Sequence, residues 1–238
     1  MNTIDTIDTI DTILNISNDY IRKNMIDIDN KLDTFVTEIC KDRDETHGRN
    51  HMWKISRLSI YIANNEGNVN KKILEDILIV AWLHDVADHK YCEFTDLEQR
   101  LENFLIDFHK GKLYKDIIDR ISFSKEVKNG SNDWNEIIGI QGIIIRNIVS
   151  DADKIDALGE NGIRRCIEYG FHKYKHTTTE EMIQRVKDHA CEKILLLKDK
   201  YIKTSIGKKI AEKEHQDTVD ILANLNDFFI KNYCKTTF

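Results

Sequence analysis

The sequence predicts an all-α protein, and three observations support this fold class. Apolar residues recur at helical spacing in several long segments from about residue 31 onward. Only the short stretch 120–124 has a strand-like composition, and it is too short to require a sheet. No linker rich in Gly, Ser or Pro separates the segments. We therefore predict a low-complexity N-terminal extension at residues 1–24, which carries a Thr-Ile-Asp repeat, and one helical domain at residues 25–238.

The first two amphipathic helices are predicted between residues 51 and 85. In the segment 51–67 the residues of one apolar face are Ile55, Leu58, Ile62 and Ala63. Gly67 is typical of a helix C-terminal cap. In the segment 70–85 the same spacing relates Ile73, Ile77, Val80, Ala81 and His84. The imidazole of His84 is therefore predicted to continue the buried face.

Two further helices are predicted after this pair. In the segment 96–111 the apolar face consists of Leu97, Leu101, Phe104, Leu105 and Phe108, and Gly111 is predicted to end the helix. The segment 177–201 opens with two candidate capping boxes, Thr177 with Glu180 and Thr178 with Glu181. The remainder, to residue 234, also has helical period.

Composition limits the classes of function. The 238 residues carry a net charge of −6, with 41 % hydrophobic and 32 % charged residues, which is ordinary for a soluble globular protein with a sizeable core. Without a broad basic surface, we expect no stable complex with nucleic acid and no membrane association. The five cysteines are dispersed, without a C-x-x-C pair, which predicts reduced thiols and a cytoplasmic location.

His84 and Asp85 together indicate a metal site. A lone histidine on a buried face is usually a hydrogen-bonded core residue. An ionised carboxylate entering a helical core is costly, however, unless it is paired or bound to a metal. Two other segments offer further ligands: "ETHGRNHMWKI" contains His47 and His51, and "VSDADKIDALG" contains Asp151, Asp153 and Asp156.

This ordered set of motifs resembles the H…HD…D signature of the HD-domain phosphohydrolase superfamily. "HDVADHK", "ISFSK" and "DADKIDALGENGIRRCIEYG" are similar to the small bacterial YpgQ/YedJ-like branch, over roughly residues 25–225. Lys54 departs from the pattern, because the H-x-x-R-V helix often has Arg there. The resemblance implies a single-domain HD-type helical bundle. It also implies an enzyme, since members of this branch include metal-dependent nucleotide pyrophosphohydrolases.

By this resemblance the metal ligands are His51, His84, Asp85 and Asp153. Asp151 is the alternative to Asp153, because a one-residue shift in alignment would exchange them. Two imidazoles and two carboxylates suit one divalent transition metal ion. Manganese is the first expectation, and iron, cobalt, nickel, zinc and magnesium are the alternatives.

The resemblance also suggests how the other polar residues would act. Asp88 is the candidate general acid/base, and the alternative is that it is a solvated residue at the end of the helix. The candidates for binding substrate phosphates are His47, Lys90, Lys125 and Arg164. For each of them the alternative is a surface position without a functional role.

The implied reaction is hydrolysis of a nucleoside triphosphate to the monophosphate and pyrophosphate by a metal-activated water. Hydrolysis of nucleoside monophosphates or cyclic nucleotides is the first alternative, and a non-catalytic nucleotide- or metal-binding HD module is the second. The expected partner is the small-molecule nucleotide, and a homodimer is an open alternative to a monomer.

Overall fold

The structure is a computed structural model, and it describes residues 9–41, 43, 48–67, 69–87, 96–129 and 134–233, except the side chains of Lys125 and Asn129. Across these ranges the regular structure is helical, which confirms the all-α prediction. The α-helices of the described residues are α1 (Ile10–Asn24), α2 (Ile26–Ile39), α3 (Arg49–Asn65), α4 (Leu74–Leu83), α5 (Asp96–Leu105), α6 (Gly111–Ile118), α7 (Phe123–Asn129), α8 (Trp134–Asp156), α9 (Gly159–Lys173), α10 (Thr179–Glu192), α11 (Ser205–Ala223) and α12 (Leu225–Tyr233). None of the described helices is both long and apolar enough to cross a membrane.

The chain divides into two compact units, Met1–Ala152 and Asp153–Phe238. In the first unit α4 is the central helix, because its sequence LEDILIVAWL is apolar on almost every side and its residues from Ile77 to Leu83 are at most 1 % exposed. Helices α2, α3 and α6 pack directly against α4. The end of this buried helix is where the His84-Asp85 pair follows.

Part of the predicted N-terminal extension is a packed helix. Residues 10–24 form α1, which lies against α3 and fully buries Ile13 and Ile21. Thr9 caps α1 by accepting a 3.3 Å hydrogen bond from the Thr12 backbone N–H. These residues therefore contribute to the core of the first unit, while the domain boundary at residue 25 stays a prediction.

The second unit is built on the pairing of α9 with α11, with α10 also packed on α9. Gly159 begins α9 at a φ of 67°, a conformation that favours glycine. Its backbone N–H donates a 2.7 Å hydrogen bond to the Thr218 hydroxyl of α11. This bond satisfies one of the free N–H groups at the start of α9.

Two sequence predictions about helix ends differ from the structure. Gly111 does not end a helix, because α5 stops at Leu105 and Gly111 begins α6. A Cβ at Gly111 would lie 2.2 Å from the Leu105 carbonyl oxygen, so this glycine permits a close return of the chain. The stretch 120–124, which is too short to require a sheet, enters α7 at Phe123. The helix predicted to reach residue 201 ends at Glu192, and a 3-10 turn (Ile194–Leu196) and a π-helical turn (Leu197–Tyr201) follow it.

The capping box at Thr178 and Glu181 is confirmed. The Thr178 hydroxyl accepts from the Glu181 backbone N–H at 3.2 Å, and the Glu181 carboxylate accepts from the Thr178 backbone N–H at 3.0 Å. Of the two candidate boxes, this is the one that begins α10.

Candidate metal centre

His51 lies in the first turn of α3 and is 5 % exposed. The start of this helix is held to α2 by Arg49, whose Nε and Nη2 donate 2.6 Å hydrogen bonds to the two carboxylate oxygens of Asp33. Such a bidentate pair fixes the guanidinium in one orientation, and the hydrogen bond raises the pKa of Arg49. The first turn of α3, which carries His51, is therefore held against α2 by two hydrogen bonds.

His84 caps the C-terminal end of α4, and Asp85 follows it; both are half-buried. The His84 Nδ1 is 2.8 Å from the Ala81 carbonyl oxygen, so Nδ1 carries the proton as a donor. The lone pair of the ring is then on Nε2. This is the arrangement in which a histidine is oriented for a metal by a hydrogen bond from its other nitrogen.

Arg43 holds the backbone that follows the helix. Its Nη1 donates a 2.8 Å hydrogen bond to the Asp85 carbonyl oxygen, and its Nη2 donates to the Val86 carbonyl oxygen. Both carbonyl groups lie just beyond the C-terminal end of α4, and Arg43 supplies each with a hydrogen-bond donor. The position of Asp85 is thereby fixed from outside α4.

His51, His84 and Asp85 form a group that could hold one metal ion. One ligand atom from each residue lies within 4.8 Å of the other two. The imidazole centroids are 5.2 Å apart and the rings are inclined by 61°. Neighbouring ligands at about 2.0–2.2 Å from one ion are about 3–3.5 Å apart, so an inward shift of these side chains by about 1–2 Å closes the site.

The chemistry of the donor set also fits a divalent transition metal. Two imidazole nitrogens and a carboxylate are the mixed N/O ligands that such ions accept. The nearby thiol of Cys40 is buried, and this burial raises its pKa, with Arg43 lowering it and Asp85 raising it. A protonated thiol is a poor ligand, so the nitrogen and oxygen donors are the ones offered.

The three carboxylates of "DADKID" have different surroundings. Asp151, in the first unit, is fully buried. Its negative charge acts on the Arg146 guanidinium: burial lowers the pKa of Arg146, and the charges of Glu126 and Asp151 raise it. Asp153 is half-buried and begins the second unit, so its place among the ligands stays a prediction. Asp156 accepts from Asn161 at 3.1 Å and forms an ion pair with Arg165. Asp156 therefore has a structural role at the start of α9.

Arg164 is the one predicted phosphate-binding residue whose side chain is described. In the second unit its guanidinium donates to Glu160 at 2.6 and 2.8 Å and to Asn232 at 2.7 Å. It also lies 5.3 Å from the centroid of the Phe228 ring. Four predicted residues lie outside this part of the structure: His47, Asp88 and Lys90 are outside the described residues, as is the side chain of Lys125.

Sequence reasoning missed the residues that support the site. Arg43 and Asp33 lie outside the quoted motifs, and the two partners of each contact come from different segments of the chain. The i, i+4 spacing of Glu160 and Arg164, in contrast, would have indicated their ion pair.

Comparison with known proteins assigns the fold. No protein-family profile matches the chain. Over 197 residues the chain is 28 % identical to the uncharacterized protein YpgQ of Bacillus subtilis (strain 168). This alignment covers 81 % of this chain and 89 % of YpgQ. The crystal structure of YpgQ in complex with ADP superposes with a TM-score of 0.60 and 22 % identity, over 85 % of this chain and 95 % of that chain. The chain is therefore similar to YpgQ in sequence and shares its fold.

An HD-superfamily hydrolase from Bacillus thuringiensis has the same fold. Its crystal structure superposes with a TM-score of 0.53 and 24 % identity, over 88 % of this chain and 98 % of that chain. The YpgQ-like, HD-type resemblance predicted from the motifs is thus confirmed. In this chain the described part of the H…HD…D signature is the compact His51, His84 and Asp85 group.

Proposed function

We propose that this protein is a metal-dependent phosphohydrolase that converts nucleoside triphosphates to monophosphates and pyrophosphate. The observation that carries the proposal is the His51, His84 and Asp85 group, whose ligand atoms lie within 4.8 Å of one another at the end of a buried helix. The cost of placing a carboxylate and two imidazoles there is offset if they share a cation. Likeness to an HD-superfamily hydrolase supports the hydrolytic chemistry.

A nucleotide is the substrate class that the relatives favour. YpgQ has been crystallised with ADP, which carries the base, the sugar and a phosphoanhydride. A net charge of −6 and the absence of a broad basic surface in the sequence favour a small nucleotide over a nucleic acid polymer. We accordingly propose a small-molecule nucleotide as the partner and a cytoplasmic protein with reduced cysteines.

The residues would divide the work as follows. His51, His84 and Asp85 would hold the ion together with Asp153, and manganese is the ion we propose first. A bound divalent metal polarises a phosphoryl group and lowers the pKa of a coordinated water. Asp88 would transfer a proton, and His47, Lys90, Lys125 and Arg164 would bind the charges of the phosphate groups.

An assay against a panel of nucleotides tests this proposal. Protein loaded with Mn²⁺ is incubated with nucleoside triphosphates, monophosphates and cyclic nucleotides, and the products are separated by chromatography. We expect a monophosphate and pyrophosphate in equal amounts from a triphosphate, and loss of this activity in His84→Ala. Release of inorganic phosphate from monophosphates, or opening of cyclic nucleotides, would replace the proposed reaction by the first alternative. Binding without any product would support a non-catalytic module.

A further inference from the structure

One buried carboxylate joins the helices that carry the two histidines of the metal centre. Asp29 of α2 is 5 % exposed. Its Oδ1 accepts 2.8 Å hydrogen bonds from both Arg57 Nη1 of α3 and Trp82 Nε1 of α4, and its Oδ2 accepts a 2.6 Å hydrogen bond from Arg57 Nη2. Three helices therefore meet at a single side chain.

The partners of Asp29 are themselves enclosed. Arg57 is 3 % exposed and Trp82 is 0 % exposed. The Arg57 guanidinium is flanked by two indole rings, 4.9 Å from the centroid of Trp53 and 5.4 Å from that of Trp82. It also donates to the Ser56 hydroxyl at 2.9 Å. The charge is therefore well compensated, and the geometry of each group is restricted.

Stability alone does not explain such an arrangement. A buried ion pair can often be replaced by apolar residues of the same volume without loss of stability, because desolvation cancels much of the attraction. What apolar packing does not supply is direction. A hydrogen bond from Trp82 Nε1 to a fixed carboxylate restricts both the rotation of α4 about its axis and its position along that axis.

The distance along the chain from this bond to the metal centre is short. Trp82 lies in the last turn of α4 and precedes His84 by two residues. The His84 ring is tied back to the same turn by its bond to the Ala81 carbonyl oxygen. A rotation of this turn would therefore move His84 and Asp85 relative to His51, and a misplacement of about 1 Å is enough to impair a site of this kind.

We propose that Asp29 is a positioning residue for the metal centre, acting through the hydrogen bond from Trp82 to fix where α4 presents His84 and Asp85 to His51. This inference rests on the proposed function, because it takes these three residues to be metal ligands. It goes beyond that function in assigning a role to a side chain that is not a predicted ligand.

The test compares Trp82→Phe with Tyr114→Phe. Tyr114 is a matched control, because it is a buried aromatic residue whose hydroxyl donates a 2.6 Å hydrogen bond to a buried carboxylate, Asp76, in the first turn of the same helix. Each variant loses one donor and keeps an aromatic ring. Cobalt(II) is titrated into each folded protein, and its affinity and visible absorption spectrum are recorded together with the urea midpoint.

We expect Trp82→Phe to bind cobalt about 10- to 100-fold more weakly than the wild type, the usual effect of losing a group that orients a ligand, and to change the absorption spectrum. Tyr114→Phe should keep the wild-type affinity and spectrum. Equal affinities and spectra in the two variants would overturn the positioning role while leaving the proposed function intact. A wild-type protein that binds no cobalt would overturn both.

A second variant separates positioning from stability. Asp29→Asn keeps the Oδ1 acceptor for Trp82 but removes the charge that pairs with Arg57. We expect a lower urea midpoint than for Trp82→Phe together with the wild-type cobalt spectrum, since leaving a buried charge unpaired is strongly destabilising. A merely structural role would make cobalt affinity follow the urea midpoint across all variants. Should Trp82→Phe fail to fold, Asp29→Ala replaces it, because this variant removes the acceptor for Trp82 as well as the charge. A cobalt spectrum that is altered in Asp29→Ala and retained in Asp29→Asn would support the proposal, and the same spectrum in both would overturn it.

Discussion

At the residue scale, two carboxylates three positions apart are expected to act differently. Asp85 offers one of the three ligand atoms of the candidate metal centre. Asp88 follows it by three residues, and we expect it to transfer a proton without binding the ion. Asp88→Asn keeps the volume and removes the proton acceptor, so kcat should fall by about 10²- to 10⁴-fold with metal content and substrate binding nearly unchanged.

The pH profile of Asp88→Asn provides the check. Its acidic limb should change, because a group that must be deprotonated has been removed. Metal content, measured by elemental analysis, serves as the control for an intact centre. A variant with wild-type kcat and an unchanged profile would return Asp88 to the alternative of a solvated residue at the helix end.

Asp151 and Asp153 provide a second prediction at this scale. Asp153→Ala should lose the metal and all turnover if it is the fourth ligand. Asp151→Ala should keep the metal and lose about 10- to 100-fold in activity, as expected for a residue outside the ligand set. The buried Arg146, whose charge Asp151 helps to balance, gives Asp151→Ala a further cost in stability. Equal, mild losses of metal in both variants would exclude both as direct ligands.

The parts of the site that could be predicted from sequence are those that break a local pattern. His84 and Asp85 stand out because they end a helix that is otherwise apolar, and His51 follows from the order of the motifs. Arg43 and Asp29 could not be predicted in this way. Their partners are 28 to 53 residues distant along the chain, and no helical or strand period relates such positions.

At the scale of the helices, apolar periodicity predicted where α3, α4 and α10 lie, and chain geometry decided where they end. The prediction at Gly111 was wrong because glycine has more than one use. It can cap a helix, and it can also permit one segment of backbone to approach another. Periodicity does not distinguish these two uses of glycine. The close approach of the Leu105 carbonyl to Gly111 depends on how the chain folds back, which the spacing of apolar residues does not contain.

Gly162 gives a testable example of the second use. A Cβ at this position, in the first turn of α9, would lie 2.1 Å from the Ala157 carbonyl oxygen, and backbone cannot move aside as the tip of a side chain can. Gly162→Ala should therefore lower the free energy of unfolding by about 1–3 kcal/mol, the usual cost of overpacking. Urea denaturation followed by circular dichroism measures the change.

Gly67→Ala is the control for this substitution. No atom lies within 4 Å of a Cβ built at Gly67. The free energy of unfolding of Gly67→Ala should therefore stay within about 0.5 kcal/mol of the wild-type value. Similar losses in the two variants would mean that the contact with Ala157 is not the cause of the loss in Gly162→Ala, because the entropy change of the unfolded chain that both share favours folding.

At the scale of the whole molecule, the distribution of tryptophan allows the unit with the metal centre to be observed separately. The three tryptophans, Trp53, Trp82 and Trp134, all lie in the first compact unit. Their fluorescence therefore reports the unfolding of the unit that contains His51, His84 and Asp85, whereas circular dichroism reports helices of both units.

Metal binding should stabilise that unit by mass action. An ion that binds the folded state and not the unfolded one adds about 2.7 kcal/mol at 100 times its Kd. For a chain of this size, this gain corresponds to a rise of about 5–11 °C in the midpoint of the thermal transition followed by tryptophan fluorescence. A chelator should reverse the rise. His84→Ala, with one of the three described ligands removed, should show little or none of it, while Tyr114→Phe should show the full rise from a lower starting midpoint. A rise of the same size in His84→Ala would mean that the ion binds elsewhere, and the assignment of this metal centre would then be wrong.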